Sequence, residues 1–171
     1  MKLLPRPILW ILISLLAACS TRDLPVQPSP DPPAPVRVSL EAEAGSGDGQ
    51  VRERSRASGG QTVHLGPGER REWTFGVPDL QTGYALAMTY ANGKEGPNET
   101  IQVSVDGGYV ARFEDRDSGD SVEGWNLFVT DAAGDVTLGR GSHTLTIEVS
   151  GGDGCVEVDV VTLSPRGYAG P

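Results

Sequence analysis

The chain has 171 residues, of which 23 are Gly and 13 are Pro, while hydrophobic residues make up 37% and aromatics 6%. So many helix breakers among short apolar runs exclude a helical bundle or coiled coil, and the length suits one domain of ordinary size. Against 14 Lys and Arg stand 23 Asp and Glu, a formal net charge of -9, which disfavours nucleic acid, whose phosphates are met by basic patches.

At the N-terminus, Lys2 and Arg6 accompany an apolar stretch over 8–16 that is too short to span a bilayer and has the length of a secretory signal core. It ends in Leu16-Ala17-Ala18-Cys19, which resembles the lipobox of bacterial lipoproteins. The resemblance implies a signal peptide over 1–18, acylation of Cys19 and a lipid-anchored place in the bacterial cell envelope. Ser20 after the cysteine implies the outer membrane if the cell is Gram-negative. Residues 19–36 then carry the acylated cysteine and a linker with Pro25, Pro28, Pro30, Pro32, Pro33 and Pro35. This composition favours an extended tether reaching up to about 50 Å at roughly 3.1 Å per residue. With Cys19 lipidated, Cys155 has no partner, so no disulfide is expected; its setting in Cys155-Val156-Glu157-Val158 predicts a buried structural thiol in a strand.

From 37 to 164 apolar and polar residues alternate with period two. Tyr84, Leu86, Met88 and Tyr90 form one such face, Ile101, Val103 and Val105 another, Leu145, Ile147 and Val149 a third, and Val156, Val158 and Val160 a fourth. Each pattern predicts a strand with one face on a core. Trp73, Phe75, Tyr84 and Tyr90 are therefore expected in that core. The run Arg52, Arg54, Arg56, interrupted by Glu53, reads as a solvated strand face. Turns are predicted at Gly66-Pro67-Gly68, Asn92-Gly93, Asp106-Gly107-Gly108, Gly139-Arg140-Gly141 and 151–154. Short strands at this spacing predict an all-β antiparallel sandwich or jelly roll over 37–164, with 165–171 as a flexible tail.

Catalytic motifs are missing: the sequence has no G-x-S-x-G elbow, no P-loop, no H-E-x-x-H and no paired-cysteine zinc spacing. His64 and His143 are the only histidines, and neither stands beside a nucleophile motif; His143 reads as structural or exposed. No enzyme is expected. Glu41 and Glu43 sit at i and i+2 of the first predicted strand, on one face. A hard cation such as calcium, which takes oxygen ligands, suits such a pair; two solvated glutamates on an exposed face suit it equally. The segment 115–120, rich in Asp, fails the EF-hand template, since Gly119 occupies a ligand position and Asn126 falls where the bidentate Glu belongs. It reads as an acidic surface loop.

Taken in order, Glu41-Ala42-Glu43, Ala57-Ser58-Gly59-Gly60-Gln61, Gly83-Tyr84-Ala85-Leu86, Tyr90-Ala91-Asn92-Gly93, Val103-Ser104-Val105-Asp106-Gly107, Gly124-Trp125, the 138–145 segment and Val158-Asp159 are similar to carbohydrate-binding modules of the family 6 and family 35 type. The resemblance covers essentially all of 37–164 and implies a galactose-binding-like jelly roll with a structural calcium, held by Glu41, Glu43 and Asp159. It implies sugar binding by aromatic stacking with flanking hydrogen bonds, with Trp125 the first candidate platform. Phe128 stands where many relatives carry a second Trp, and Glu157 where many carry a ligand-binding Asn. A glutamate there can accept hydrogen bonds from sugar hydroxyls or hold a second cation. Tyr109 follows a Gly-Gly turn that would expose it; with His64 and Asn126 it completes the candidate carbohydrate site. The expectation is a lipid-anchored, non-catalytic binder of polysaccharide or another glycan. The alternative is a structural or protein-interaction envelope lipoprotein that kept the sandwich and lost sugar binding.

Overall fold

Where period-two alternation occurs, strands form, and the computed structural model describes them over residues 36–93, 97–119, 124–152 and 154–166, with backbone alone at 79–81. The signal peptide, Cys19, most of the Pro-rich linker and nearly all of the tail lie outside the described residues. Among the described residues nine strands follow in chain order: β1 (Val38–Glu41), β2 (Ser46–Gly47), β3 (Gln50–Glu53), β4 (Gln61–Leu65), β5 (Arg70–Ala91), β6 (Thr100–Val105), β7 (Gly108–Glu114), β8 (Val129–Ser150) and β9 (Val156–Pro165). Their hydrogen-bonded order is β3-β4-β9-β5-β8-β6-β7, with β1 added on β9 and β2 on β5. The pairings between these strands are antiparallel. The architecture is the all-β jelly roll that the sequence predicts, and β9 ends at Pro165, one residue past the expected boundary.

The core takes the apolar face of each strand. Tyr84, Leu86, Met88 and Tyr90 of β5, Ile101 and Val103 of β6, Leu145 and Ile147 of β8, and Val158 and Leu163 of β9 are all buried, as are Trp73 and Phe75. Strand β9 is buried along almost its whole length because β1, β4 and β5 all pair with it. Its polar face is covered too, which takes Glu157 and Asp159 out of solvent and forces each to find a partner.

Two expectations need correction. The segment Gly139-Arg140-Gly141 is no turn: it lies inside the 22-residue β8, opposite β5, where the ladder slips between Val77 and Gln81. The bulge is accommodated on the β5 side, so the glycines let β8 bend without ending it. Glu43 is not on the first strand; β1 stops at Glu41 and Ala42–Ala44 form a 3-10 turn. That turn is pinned by buried Arg71, whose Nε donates to Ala42 O at 3.1 Å and whose Nη2 donates to Glu43 O at 3.3 Å. Trp73 Nε1 donates to Glu41 O at 2.8 Å. Gly45 follows the turn because a Cβ there would come within 2.8 Å of the Trp73 ring nitrogen.

At the β6–β7 hairpin the chain turns on Asp106 (φ 51) and Gly107 (φ 75), the Asp-Gly pair that a two-residue primed turn requires. Asp106 Oδ1 accepts from Thr144 N at 2.8 Å, and Oδ2 lies 2.7 Å from His143 Nδ1. His143 Nε2 lies 2.8 Å from Gly139 O. Both ring nitrogens thus face acceptors, which only the doubly protonated ring satisfies. The hydrogen bond to Asp106, and next the one to Gly139, raise the His143 pKa. Its contribution to stability is complete below the ordinary histidine value of 6.5 and is lost as pH rises through the raised folded value. The half-exposed Asp106 limits the effect to about 1 kcal/mol. A His143→Leu variant is expected to unfold at lower urea concentration than the parent at pH 5 and to close most of that gap at pH 9.

Candidate functional site

The residues between β3 and β4 form a tight loop laid over β9. Arg54 N donates to Gly60 O at 2.9 Å, and Ala57 N donates to Arg54 O at 3.1 Å. From this loop Arg54 reaches down to Glu157, its Nε 2.6 Å from Oε2 and its Nη2 2.5 Å from Oε1. Thr62 Oγ1 donates to Glu157 Oε2 at 2.9 Å. His64 Nδ1, buried and without a hydrogen bond, stands 3.5 Å from Glu157 Oε1. Burial alone would raise the Glu157 pKa, but His64, Arg54 and Thr62 together outweigh it and hold the carboxyl at about 2. Glu157, 1% exposed, is thus ionised near neutral pH and holds Arg54.

Above this pair lies an open cleft of about 560 Å³, lined by Glu53, Arg54, Ser55, Gly60, Trp125 and Asn126. Trp125 is half-buried. Its indole packs on the bare backbone of Gly93, where a Cβ would come within 3.2 Å of the ring, and against the His64 ring at a centroid distance of 5.7 Å and 52°. Asn126 is used at both ends: its Oδ1 accepts from Arg56 N at 3.1 Å and its Nδ2 donates to Ser55 Oγ at 3.0 Å. It ties the Trp125 segment to the 54–60 loop.

The structure thus brings four of the five carbohydrate-site candidates together, in different roles. Trp125 and Asn126 line the cleft, while His64 and Glu157 lie beneath as supports. Tyr109 is separated from them. It is 67% exposed on β7, which ends the strand path opposite to β3. The residue that sequence reading missed is Arg54. It is no solvated strand residue, because Glu157 draws it over β9. Cys155 is free and only half-buried, and burial pushes its thiol pKa up.

The second cluster lies at the other end of the same loop. Ser58 N donates to Asp159 Oδ1 at 2.9 Å, and its hydroxyl stands 2.8 Å from that atom and 2.5 Å from Glu41 Oε2. A Cβ on Gly59 would lie 2.5 Å from Glu43 Oε1 and 3.6 Å from Glu41 Oε2, so both glutamates converge there. Burial and the charge of Glu41 raise the Asp159 pKa against the opposing bonds from Ser58. Glu43 Oε2 is buried with no hydrogen-bond partner. An oxygen-only, anionic set with an orphaned carboxylate oxygen fits a hard cation. Among the described residues, however, no three His, Cys, Asp or Glu side chains group tightly enough to hold an ion unaided. A cation here would also need Ser58 or backbone carbonyls.

No family model matches the sequence, and no curated protein matches it. Solved structures do. A native family 35 carbohydrate-binding module from Clostridium thermocellum has a TM-score of 0.64 at 22% identity, covering 75% of this chain and 97% of that one. The GH26-CBM35 β-(1,4)-mannanase of Podospora anserina gives 0.61 at 22% identity, over 79% of this chain and 29% of that one. The mosquito-larvicidal Cry4Aa toxin from Bacillus thuringiensis gives 0.63 at 16% identity, over 77% and 24%. The chain therefore spans nearly the whole module but under a third of either larger protein. Its domain has the fold of a carbohydrate-binding module.

Proposed function

We propose that this domain binds polysaccharide without cleaving it, held at the bacterial cell envelope by lipid on Cys19, with a structural calcium among Glu41, Glu43 and Asp159. The observation that carries the binding reading is one open cleft in which the Trp125 indole and the Arg54 guanidinium are both presented and both braced from below. An aromatic face supplies apolar area for a pyranose ring, and a fixed guanidinium supplies donors for hydroxyl or carboxylate oxygens that lose water on binding. Glu157 is engaged by Arg54 and Thr62, an arrangement that fits a carboxylate holding the site together. The calcium, when bound, would supply charge neutralisation and cross-linking between β1, the following turn and β9.

Affinity electrophoresis of the full chain in gels containing neutral and acidic polysaccharides tests this reading. At least one polysaccharide is expected to retard the parent chain, and Trp125→Ala to lose that retardation while its Tm stays within a few degrees. Retardation that survives the substitution would remove Trp125 from the site. The interaction-lipoprotein alternative rests on one observation: with Tyr109 elsewhere, Trp125 is, among the described residues, the only aromatic side chain lining the cleft. Absence of retardation across the panel would favour it.

A further inference from the structure

A second pair of carboxylates is buried away from both clusters described above. Glu99, just before β6, is 2% exposed and Asp115, just after β7, is 1% exposed. Glu99 Oε1 accepts from Gly154 N at 3.0 Å and Oε2 accepts from Asn92 Nδ2 at 3.0 Å. The two backbones also bond each other, Asp115 N to Glu99 O at 3.0 Å, while Glu99 N donates to Asp115 Oδ1 at 2.9 Å. Asp115 Oδ2 is buried and has no hydrogen-bond partner. Glu99 therefore has the surroundings of an anion, and Asp115 has one buried oxygen that no donor reaches.

We propose that only one of these two carboxyls carries a charge, with Asp115 as the protonated acid and Glu99 as the anion, and that this pair is a pH-operated latch on the loops that support Trp125. No donor faces Asp115 Oδ2, so a charge there goes uncompensated; a proton on Asp115 removes it, and two buried like charges cannot both persist at close range. A cation suits the place less well, because N–H donors rather than further oxygens point at Glu99. Burial first, and then the charge of Glu99, hold the Asp115 carboxyl up at about 7. Among the described residues, the other titratable groups nearby are Tyr90 of β5, Arg116 and Cys155. The Tyr90 hydroxyl donates to Asp131 of β8 and accepts from Arg116 N, the Arg116 guanidinium is bonded to Asp131, and burial raises both the Tyr90 and Cys155 values. Neither Tyr90 nor Cys155 therefore changes charge near neutral pH.

The pair is wired to the cleft floor. Asn92, which donates to Glu99, receives a hydrogen bond from Ser118 N at 3.0 Å and gives its own N–H to Ser118 Oγ at 2.9 Å. That hydroxyl also lies 2.8 Å from Gly124 O. Gly93 follows Asn92 and bears the Trp125 ring. Loss of the proton leaves two buried anions and loosens the 92–93, 115–119 and 124–125 segments together.

The sign follows from the folded value lying above the ordinary 3.8. The folded state keeps a proton that the unfolded state releases, so stability is complete below about pH 4 and is lost as pH rises through about 7. Melting of the full chain and of Asp115→Asn, from pH 4.5 to 8, tests it. The parent is expected to lose roughly 5 °C or more in Tm relative to the variant across that range. At pH 5.5 its unfolding is expected to release about one more proton, read from calorimetric enthalpies in two buffers. Acrylamide quenching of tryptophan emission is expected to rise with pH in the parent alone. Should Asp115→Asn not fold, Glu99→Gln must flatten the same slope. Parallel melting profiles with equal proton release would overturn the proposal. So would a calcium-induced rise in Tm that Asp115→Asn abolishes, which would make the pair a cation site.

Discussion

Replacing Glu157 with Ala is expected to lower the unfolding free energy by about 3 kcal/mol, at the lower edge of the range for breaking a buried ion pair. The lower edge applies because the Arg54 side chain keeps 28% of its exposure and can rehydrate in part, whereas Thr62, fully buried beside it, cannot. Glu157→Gln keeps the shape and an acceptor for Thr62 and removes only the charge, so its loss should be smaller. The pH dependence separates charge from packing. The folded Glu157 carboxyl sits at about 2 against an ordinary 4.5, so its contribution is complete above pH 4.5 and disappears as pH falls through about 2. Urea unfolding of parent and Glu157→Gln should therefore differ most above pH 5 and converge towards pH 2, at constant m-value. A gap that persists unchanged at pH 2.5 would show that packing, not charge, holds this site. Loss of the brace should also weaken polysaccharide retardation, because Arg54 is then free to swing out of the cleft.

That experiment also shows where the sequence stops being legible. Strands were readable because burying one face of a pleated strand demands period-two alternation, and Tyr84 to Tyr90, Ile101 to Val105 and Leu145 to Val149 obey it. The same rule misleads on β9. Glu157 and Asp159 alternate as if facing water, yet both are buried, since the 54–60 loop closes over that face. The contacts that compensate them span over a hundred positions in sequence, a distance that no local pattern encodes. Arg54 was misread for the same reason, and Asp115, read as part of a surface loop, is buried against Glu99. Glycine is ambiguous in a similar way: Asp106-Gly107 turns the chain, while 139–141 only bends a strand whose partner carries the bulge. Trp125 was legible as a candidate, but its placement depends on Gly93 and His64, which only the folded chain brings against it.

Addition of calcium to chelator-treated protein is expected to raise Tm substantially. Ligand that binds only the folded state at a hundred times its Kd stabilises by about 2.7 kcal/mol, which for a domain of this size is roughly 10 °C. The expectation rests on Glu43, whose buried Oε2 lacks any hydrogen-bond partner, and on the convergence of Glu41 and Glu43 at Gly59. Without a cation, these like charges and the buried Asp159 oppose folding, and burial and Glu41 raise the Asp159 pKa. Below that raised value Asp159 takes a proton in place of the cation, so the calcium effect should shrink as pH falls into the acid range. Glu43→Gln removes one anionic ligand while leaving the backbone bond from Arg71 to Glu43 O in place; it should cut the calcium increment to less than half and raise the calcium-free Tm. The rise in calcium-free Tm is the discriminating result, because a glutamate that merely packs the turn would give the opposite sign. A parent Tm indifferent to calcium would leave Ser58 bridging Glu41 and Asp159 as the whole of the site's structural work.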